Sequence, residues 1–263
     1  MDGTNKRILA VFAHPDDETT TSGGTMARYA AEGAKVFVAT VTRGEQGSLG
    51  SGEYEVVRED LPAVREAEIR LVLQALGVEP PIFLDYRDQE VPSADFEKLV
   101  TEVETIIDRI KPDVVITWGP TGISSHDDHI AVHRATVEAF HRYRPTAAKE
   151  PVLYFVAITD EVAKMFESEG FDFEVHESER TPTVVINISE HKSLKVRALR
   201  MYRSSAGRAG CGRHVRGRAV RLRGLPPGLS GCPTRRGRGR LLGIGYDCRA
   251  ANQAERIGGA RSR

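Results

Sequence analysis

The chain has 263 residues, of which 40% are hydrophobic and 28% are charged, and its 37 basic side chains balance 37 acidic ones. No apolar run approaches the ~18 residues of a membrane span, and the apolar run at residues 8–13 is shorter than a signal-peptide core of about 7–15 residues. These features exclude an integral membrane protein and lead us to expect a cytoplasmic one.

Strand-like and helix-like segments alternate along the first 203 residues. Short runs rich in β-branched residues predict strands, and longer segments with apolar residues three or four apart predict helices. The predicted strands are 7–13, 35–42, 82–85, 113–118, 152–158 and 183–188, and the predicted helices are 19–33, 55–76, 94–110, 127–143 and 190–202. This order predicts an α/β fold with a mainly parallel sheet covered by helices on both faces.

A dense polar cluster, His14, Asp16, Asp17 and Glu18, directly follows the first predicted strand. Ligands of such folds bind at the carboxyl ends of the strands, and a divalent metal would relieve the repulsion between the carboxylates. His14 and Asp17 are three residues apart, so a tight turn can aim both at one point while Asp16 faces elsewhere. The alternative, an acidic helix N-terminus, explains Asp17 and Glu18 but not His14.

A second cluster, Ser-His-Asp-Asp-His at residues 125–129, follows the predicted strand 113–118. Either His126 or His129 could complete a site begun by the first cluster, because two histidines and one carboxylate form a known hydrolytic zinc arrangement. The alternative is a polar helix cap with two surface histidines. We place His133 outside the ligand set, because no zincin-like pattern accompanies it.

These residues resemble the LmbE/PIG-L family of zinc-dependent de-N-acetylases. The resemblance rests first on the motif HPDDE at 14–18 and covers about residues 7–204. The other matching positions are Gly23, Gly24, Gly33, 42–45, Gly47, 65–68, 76–78, 84–85, 87–88, 126–129, 191–192 and 203–204. The resemblance implies a Rossmann-like, doubly wound sheet. One departure is Asp127, which stands where the family usually has proline.

The resemblance also implies a chemistry. One zinc ion per chain, or another divalent metal, would be held by His14, Asp17 and His129. Asp16 would be the general base, and His126 the general acid or oxyanion stabiliser. The implied reaction removes the acetyl group from a small N-acetylglucosamine-type conjugate.

Four further residues are candidates for supporting roles. We expect the carboxylate of Asp128 to orient His126 or His129. The residues expected to bind sugar hydroxyls or a phosphate are Arg43, Arg65 and Asp88. Each of these three has an alternative role as a surface ion-pair residue.

The last part of the chain differs sharply from the body. Residues 204–263 hold 14 Arg, no Lys, one Asp, one Glu and all three Cys, which makes this segment +12 and the remainder −12. We expect a deacetylase domain at 1–203 and an Arg/Gly-rich tail at 204–263 that is out of frame or disordered. The competing functions are a metal-dependent hydrolase of another bond, and an inactive body whose tail binds polyanions. We expect no specific nucleic-acid partner and leave a homo-oligomer open.

Overall fold

A five-stranded parallel sheet forms the centre of the computed structural model, which describes residues 5–160, 164 and 177–207. Its strands are β1 (Arg7–Phe12), β2 (Lys35–Thr42), β3 (Ile82–Tyr86), β4 (Val114–Thr117) and β5 (Val152–Phe155). They lie in the order β3-β2-β1-β4-β5, and every pairing is parallel. The order reverses between β1 and β4, which confirms the doubly wound α/β fold.

Helices pack in two groups on the sheet. The helices are α1 (Asp17–Ala31), α2 (Leu61–Leu76), α3 (Phe96–Ile110), α4 (Asp127–Tyr143), α5 (Glu177–Arg180) and α6 (Lys192–Leu199). Helices α1, α2 and α6 contact one another, as do α3 and α4. Local chemistry sets the ends: the Asp95 carboxylate accepts the Lys98 N–H at the start of α3, and Gly77 ends α2 with φ 73°.

The core lies where β1 runs between β2 and β4. Every residue of β1 after Arg7 is buried, and Ile8 pairs with Val36 on one side and Val114 on the other. A near-continuous apolar strand is typical of a parallel sheet covered on both faces. Burying each large apolar side chain contributes about 1.5–3 kcal/mol. This packing fixes the two strand ends that carry the polar clusters.

One predicted element is wrong. Residues 183–188 form no strand in the described part of the chain. Val184 is exposed, while Ile188 is buried against Gly24 of α1. The Asn187 side chain then accepts hydrogen bonds from the backbone and hydroxyl of Ser189, which turns the chain towards α6. The β-branched residues therefore pack on a helix instead of pairing in the sheet.

Most of the Arg/Gly-rich tail lies outside the residues that the structure describes. Residues 204–207 form a short turn against the body, whereas the predictions about 208–263 lie outside the described residues. The division at 203/204 stays a prediction. Within the described ranges, no helix is both long enough and apolar enough to cross a membrane.

Candidate metal centre

Both polar clusters lie at the carboxyl ends of adjacent strands, β1 and β4, where the strand order reverses. After β1 the chain makes a tight turn in which the Asp17 N–H donates to the His14 carbonyl. Asp16 occupies this turn with φ 99°, a left-handed conformation that, apart from glycine, Asn and Asp adopt most readily. The turn therefore sends His14 and Asp17 to one side.

Three side-chain atoms form a nearly equilateral triangle. His14 Nδ1 is 3.3 Å from His129 Nε2, and Asp17 Oδ2 is 3.5 Å from each of these nitrogens. Bonds of 2.0–2.1 Å to a tetrahedral metal separate ligand atoms by about 3.3–3.4 Å. His14, Asp17 and His129 thus have the spacing and the donor atoms of a tetrahedral zinc site with one open position.

The other nitrogen of His14 contacts two carboxylates. Nε2 lies 3.0 Å from Asp88 Oδ1 and 3.0 Å from Asp128 Oδ2. These carboxylates are in turn held by backbone N–H groups of Gln46 and Gln89. A carboxylate on the outer nitrogen of a metal-binding histidine fixes its ring and tautomer. Nδ1 is therefore the nitrogen of His14 that faces the metal position.

These contacts differ from two expectations. Asp128 was expected beside His126 or His129, but its carboxylate lies on His14, because the first turn of α4 directs it across to β1. Asp88 was expected to bind substrate, but it is buried and contacts His14. His14, Asp88, His126 and Asp128 also lie close enough to hold an ion, yet the hydrogen bonds to His14 Nε2 account for their grouping.

His129 is fixed by its own loop. Its Nδ1 lies 3.1 Å from the carbonyl oxygen of Gly122, and its ring stacks on Trp118 with centroids 4.0 Å apart and planes 8° apart. Donation of the Nδ1 proton to the carbonyl leaves Nε2 free as a ligand. His133 lies outside the triangle, 2.8 Å from the Trp118 carbonyl, as its exclusion from the ligand set predicts.

The protonation states favour a cation at this point. Burial lowers the pKa of His129 to about 4, so its imidazole is neutral. Burial alone would raise the pKa of Asp17, but at the low pH where Asp17 titrates His129 and His14 are both protonated, and their charges and hydrogen bonds from His14 lower the pKa to about 2. Burial would lower the pKa of His14, but its hydrogen bonds with carboxylates raise it well above the usual value. The surrounding carboxylates therefore stabilise positive charge.

Asp16 stands beside the triangle without joining it. Its Oδ2 accepts a hydrogen bond from Ser205 Oγ at 2.6 Å and lies 3.8 Å from Nη2 of Arg65. The side chain keeps 28% of its surface exposed. Burial raises its pKa above the ordinary value, with Arg65 opposing this effect. A carboxylate of raised pKa is suited to accept a proton near neutral pH.

His126 lies over the triangle and also begins helix α4. Its ring centroid is 4.8 Å from that of His14 and 4.7 Å from that of His129. Its Nδ1 accepts the backbone N–H of Asp128 at 3.2 Å, so the proton of the neutral ring is on Nε2. Burial and the charge of His14 lower its pKa. A neutral imidazole with an Nε2–H is a hydrogen-bond donor.

The two candidate arginines have different surroundings. Arg43 pairs with Glu66 and Asp85 and lies over the ring of Phe83, so its charge is satisfied outside the triangle. Arg65 is buried, and Nη1 donates to the carbonyl of Pro15 at 3.3 Å. The structure brings Arg65, but not Arg43, to the centre.

Several residues near the centre were missed by sequence reasoning. Buried Glu18 accepts hydrogen bonds from Tyr202 Oη and from the Asp16 N–H. Buried Glu68 of α2 accepts two hydrogen bonds from Ser204. Glu18 is part of the HPDDE motif, but no local signal links it or Glu68 to residues more than a hundred positions away.

The family comparison agrees with this geometry. The family model described as "PIG-L: GlcNAc-PI de-N-acetylase" matches residues 9–140. The chain belongs to the PIG-L family. The match contains both polar clusters and the triangle built from them.

Two relatives of the PIG-L chain carry the same name, 1D-myo-inositol 2-acetamido-2-deoxy-alpha-D-glucopyranoside deacetylase. The one from Rhodococcus erythropolis is 42% identical over 53% of this chain and 54% of its own length. The one from Mycobacteroides abscessus is 31% identical over 76% of this chain and 81% of its own length. The chain thus spans about half the length of the first relative and four fifths of the second.

Solved structures support the PIG-L fold. N,N'-diacetylchitobiose deacetylase from Pyrococcus horikoshii has a TM-score of 0.57 at 23% identity and covers 76% of this chain and 70% of its own. 4-Carboxy-2-hydroxymuconate hydratase from Pseudomonas putida KT2440 has a TM-score of 0.59 at 18% identity and covers 80% of this chain and 81% of its own. These likenesses concern the fold alone.

Proposed function

We propose that this chain is a metal-dependent deacetylase that removes the acetyl group from a small N-acetylglucosamine-type conjugate. The observation that carries the proposal is the triangle of His14, Asp17 and His129, with Asp16 beside it and His126 over it. The names of the two relatives support the substrate class. We take zinc as the metal, because two imidazoles and one carboxylate are a common zinc donor set.

The metal would supply one part of the chemistry. When bound by His14, Asp17 and His129, it acts as a Lewis acid on the amide carbonyl and lowers the pKa of water. The carboxylates of Asp88 and Asp128 hold the His14 ring in the ligand orientation, and the Gly122 carbonyl does so for His129.

Proton transfer is assigned to Asp16. Its carboxylate accepts the proton of the water that attacks the acetyl carbon, and burial, which raises its pKa, makes it a stronger base than an exposed aspartate. When the C–N bond breaks, the same proton passes from Asp16 to the departing sugar amine. Acetic acid and the amine are then the products, the acid passes its proton to the amine to give acetate and an ammonium ion, and Asp16 returns to its ionised form.

We assign to His126 the stabilisation of the oxyanion. Its Nε2–H donates a hydrogen bond to the carbonyl oxygen as negative charge develops there. This choice between the two roles expected for His126 follows from its Nδ1, which accepts the N–H of Asp128. Protonating that nitrogen to make an acid would break the cap of α4. Substrate contacts of Arg43 and Arg65, a cytoplasmic location and a homo-oligomer stay predictions.

The test compares the zinc-loaded full chain with its Asp16→Asn variant. Acetate release is measured from an N-acetylglucosaminyl inositol and from N,N'-diacetylchitobiose. Asn tolerates the left-handed backbone at this position, so the variant should keep one zinc per chain and lose about 10²–10⁴-fold in kcat. Near-normal turnover of the variant would contradict the role of Asp16.

The same preparation tests the second candidate function, hydrolysis of another bond. A phosphoester such as p-nitrophenyl phosphate serves as its probe. The two candidate ligand groups among the described residues share His14, and hydrogen bonds to His14 Nε2 account for the second group. The single metal position that remains favours amide over two-metal phosphoester chemistry. Phosphate release without acetate release would overturn the proposed deacetylase.

A further inference from the structure

Residues 202–205, which span the predicted boundary between body and tail, reach the candidate base. We propose that Ser205 is a positioning residue that fixes the carboxylate of Asp16 for proton transfer. The inference rests on the proposed function in taking Asp16 as the base, and it adds to the centre a residue from the start of the Arg/Gly-rich tail, outside both polar clusters.

The direction of the Ser205 hydroxyl is determined by its neighbours. Arg65 Nη2 donates to Ser205 Oγ at 3.1 Å, and Ser205 Oγ lies 2.6 Å from Asp16 Oδ2. A guanidinium has donors and no acceptor, so the serine oxygen accepts from Arg65 and its proton points to Asp16. Arg65 itself lies 3.8 Å from the carboxylate. Ser205 therefore links the buried cation to the carboxylate with two hydrogen bonds, of which the one to Asp16 is short.

Arg65 is itself held in one place. A Cβ atom added to Gly44 would lie 2.5 Å from its Nη1, and one added to Gly47 would lie 2.5 Å from its Nη2. The two glycines therefore let the 44–47 backbone lie directly on the guanidinium. Arg65 Nη1 also donates to the carbonyl of Pro15, the residue before Asp16. The donor that orients Ser205 is thus fixed from both sides.

Two anchors hold the segment that carries Ser205. The backbone N–H and hydroxyl of Ser204 donate to the two carboxylate oxygens of Glu68, at 3.0 and 2.5 Å. Tyr202 Oη donates to Glu18 Oε1 at 2.7 Å, while Glu18 Oε2 accepts the backbone N–H of Asp16 at 3.1 Å. Ser204 and Tyr202 are both buried. These bonds to Glu18 and Glu68 therefore attach the segment to the packed body, close to the turn that holds Asp16.

Fixing Oδ2 has a consequence for proton transfer. The hydrogen bond described for the Asp16 side chain goes to Oδ2, which also faces Arg65, and part of the side chain is exposed. With Oδ2 held by Ser205, the rotation of the carboxylate is fixed, and Oδ1 is the oxygen left to accept a proton. A base held in its reactive orientation contributes to kcat and not to substrate binding.

The experiment compares three single variants in the zinc-loaded full chain. Ser205→Ala should lower kcat about 10- to 100-fold, as for the loss of a hydrogen bond to a charged group, with KM and zinc content unchanged. Ser205→Thr keeps the hydroxyl and should restore most of kcat. Ser204→Ala is the matched control: it loses the hydroxyl bond to Glu68 and keeps the backbone one, so it should lower the midpoint of urea unfolding while reducing kcat much less than Ser205→Ala.

Crystal structures of the wild type and Ser205→Ala give a readout that does not need activity. The Asp16 carboxylate should rotate or occupy more than one position in the variant. An unmoved carboxylate, an unchanged kcat, or equal losses of kcat in the Ser204→Ala and Ser205→Ala variants would overturn the role of Ser205. A wild type without deacetylase activity would instead refute the proposed function, and the crystal structures alone would then decide whether Ser205 positions Asp16.

Discussion

The two strand ends that meet at the centre are built in different ways. After β1, one tight turn supplies His14, Asp16 and Asp17 within four consecutive residues. After β4, the chain passes through a loop with left-handed residues Gly122, Ile123 and Ser125 before it reaches His126 and His129. The first end is thus determined by local turn geometry, whereas the second depends on how a longer loop is held.

The two strand ends also differ in the contacts that hold them. The β1 turn is bonded to elements on both sides, through Asp88, Asp128 and Ser205. The β4 loop is held by the Glu179 carboxylate, which accepts from the backbone and hydroxyl of Thr121. We therefore expect loss of a ligand at either end to abolish metal binding, and substitutions at the first end to destabilise the fold more than those at the second.

The largest effect is expected from loss of a ligand. His14→Ala and His129→Ala should both lose zinc in elemental analysis. His14→Ala should also lower the free energy of unfolding more, by about 3–5 kcal/mol, because it leaves the buried carboxylates of Asp88 and Asp128 without their common partner. Urea unfolding in a chelator measures this difference without the metal.

His133→Ala is the control for these ligand variants, since His133 lies on the same helix as His129 but outside the triangle. It should keep its zinc. Full zinc content in the His14→Ala and His129→Ala variants would contradict the ligand assignment. Equal destabilisation by the two would contradict the proposed difference between the strand ends.

An intermediate effect is expected at His126, which caps α4 and is assigned the oxyanion. His126→Ala should keep zinc, lose about 10²–10³-fold in kcat and lose about 0.5–2 kcal/mol of stability with the cap. His126→Asn restores a capping side chain, so it should recover stability but not kcat. If both stability and kcat recover in the Asn variant, the loss of activity in His126→Ala came from the weakened start of helix α4 and not from the loss of the Nε2–H donor.

The sequence predicted the parts of the centre that are close together along the chain. His14 and Asp17 were indicated by their spacing in one turn, and the resemblance assigned His129. Asp128 was expected next to its sequence neighbours, but the helix directs its carboxylate to His14. The contact of Ser205 with Asp16 was missed because the two residues are 189 positions apart and no local pattern encodes such a pairing.

Most of the fold was predictable because its strands and helices have local patterns in the sequence. Alternation of strand and helix patterns indicated the parallel sheet, and helix α4 was predicted at its observed bounds. The strand at 183–188 was wrong because β-branched residues suit both a strand and a segment that packs on a helix. Only the packing of Ile188 against Gly24 in the folded chain distinguishes these two structures. Local patterns therefore identified most elements, whereas the partners of irregular segments required the structure.

The smallest effect is expected in the β4 loop. Gly122 has φ 62°, and a Cβ atom there would lie 2.6 Å from Cβ of His129. Gly122→Ala should cost about 1–2 kcal/mol for the left-handed backbone and also weaken zinc binding by displacing His129. Competition with a chelator measures the affinity, and urea unfolding the stability.

Gly52→Ala provides the matched control. Gly52 has the same φ of 62° and open space around it, so its variant carries the backbone strain without the contact. It should be destabilised to a similar degree and bind zinc normally. If both variants lose zinc affinity equally, the effect comes from general destabilisation and not from the position of His129.

The distance between the ligands along the chain has a consequence for the fold as a whole. His14 and His129 are 115 positions apart, so an ion bound by both would cross-link most of the sheet, much as a disulfide closes a long loop. Ligand binding to the native state alone adds about 1.4 kcal/mol for each tenfold excess of free metal over its dissociation constant. The melting temperature would then report the metal supply, and a cell short of metal would lose this protein to unfolding as well as to inactivity.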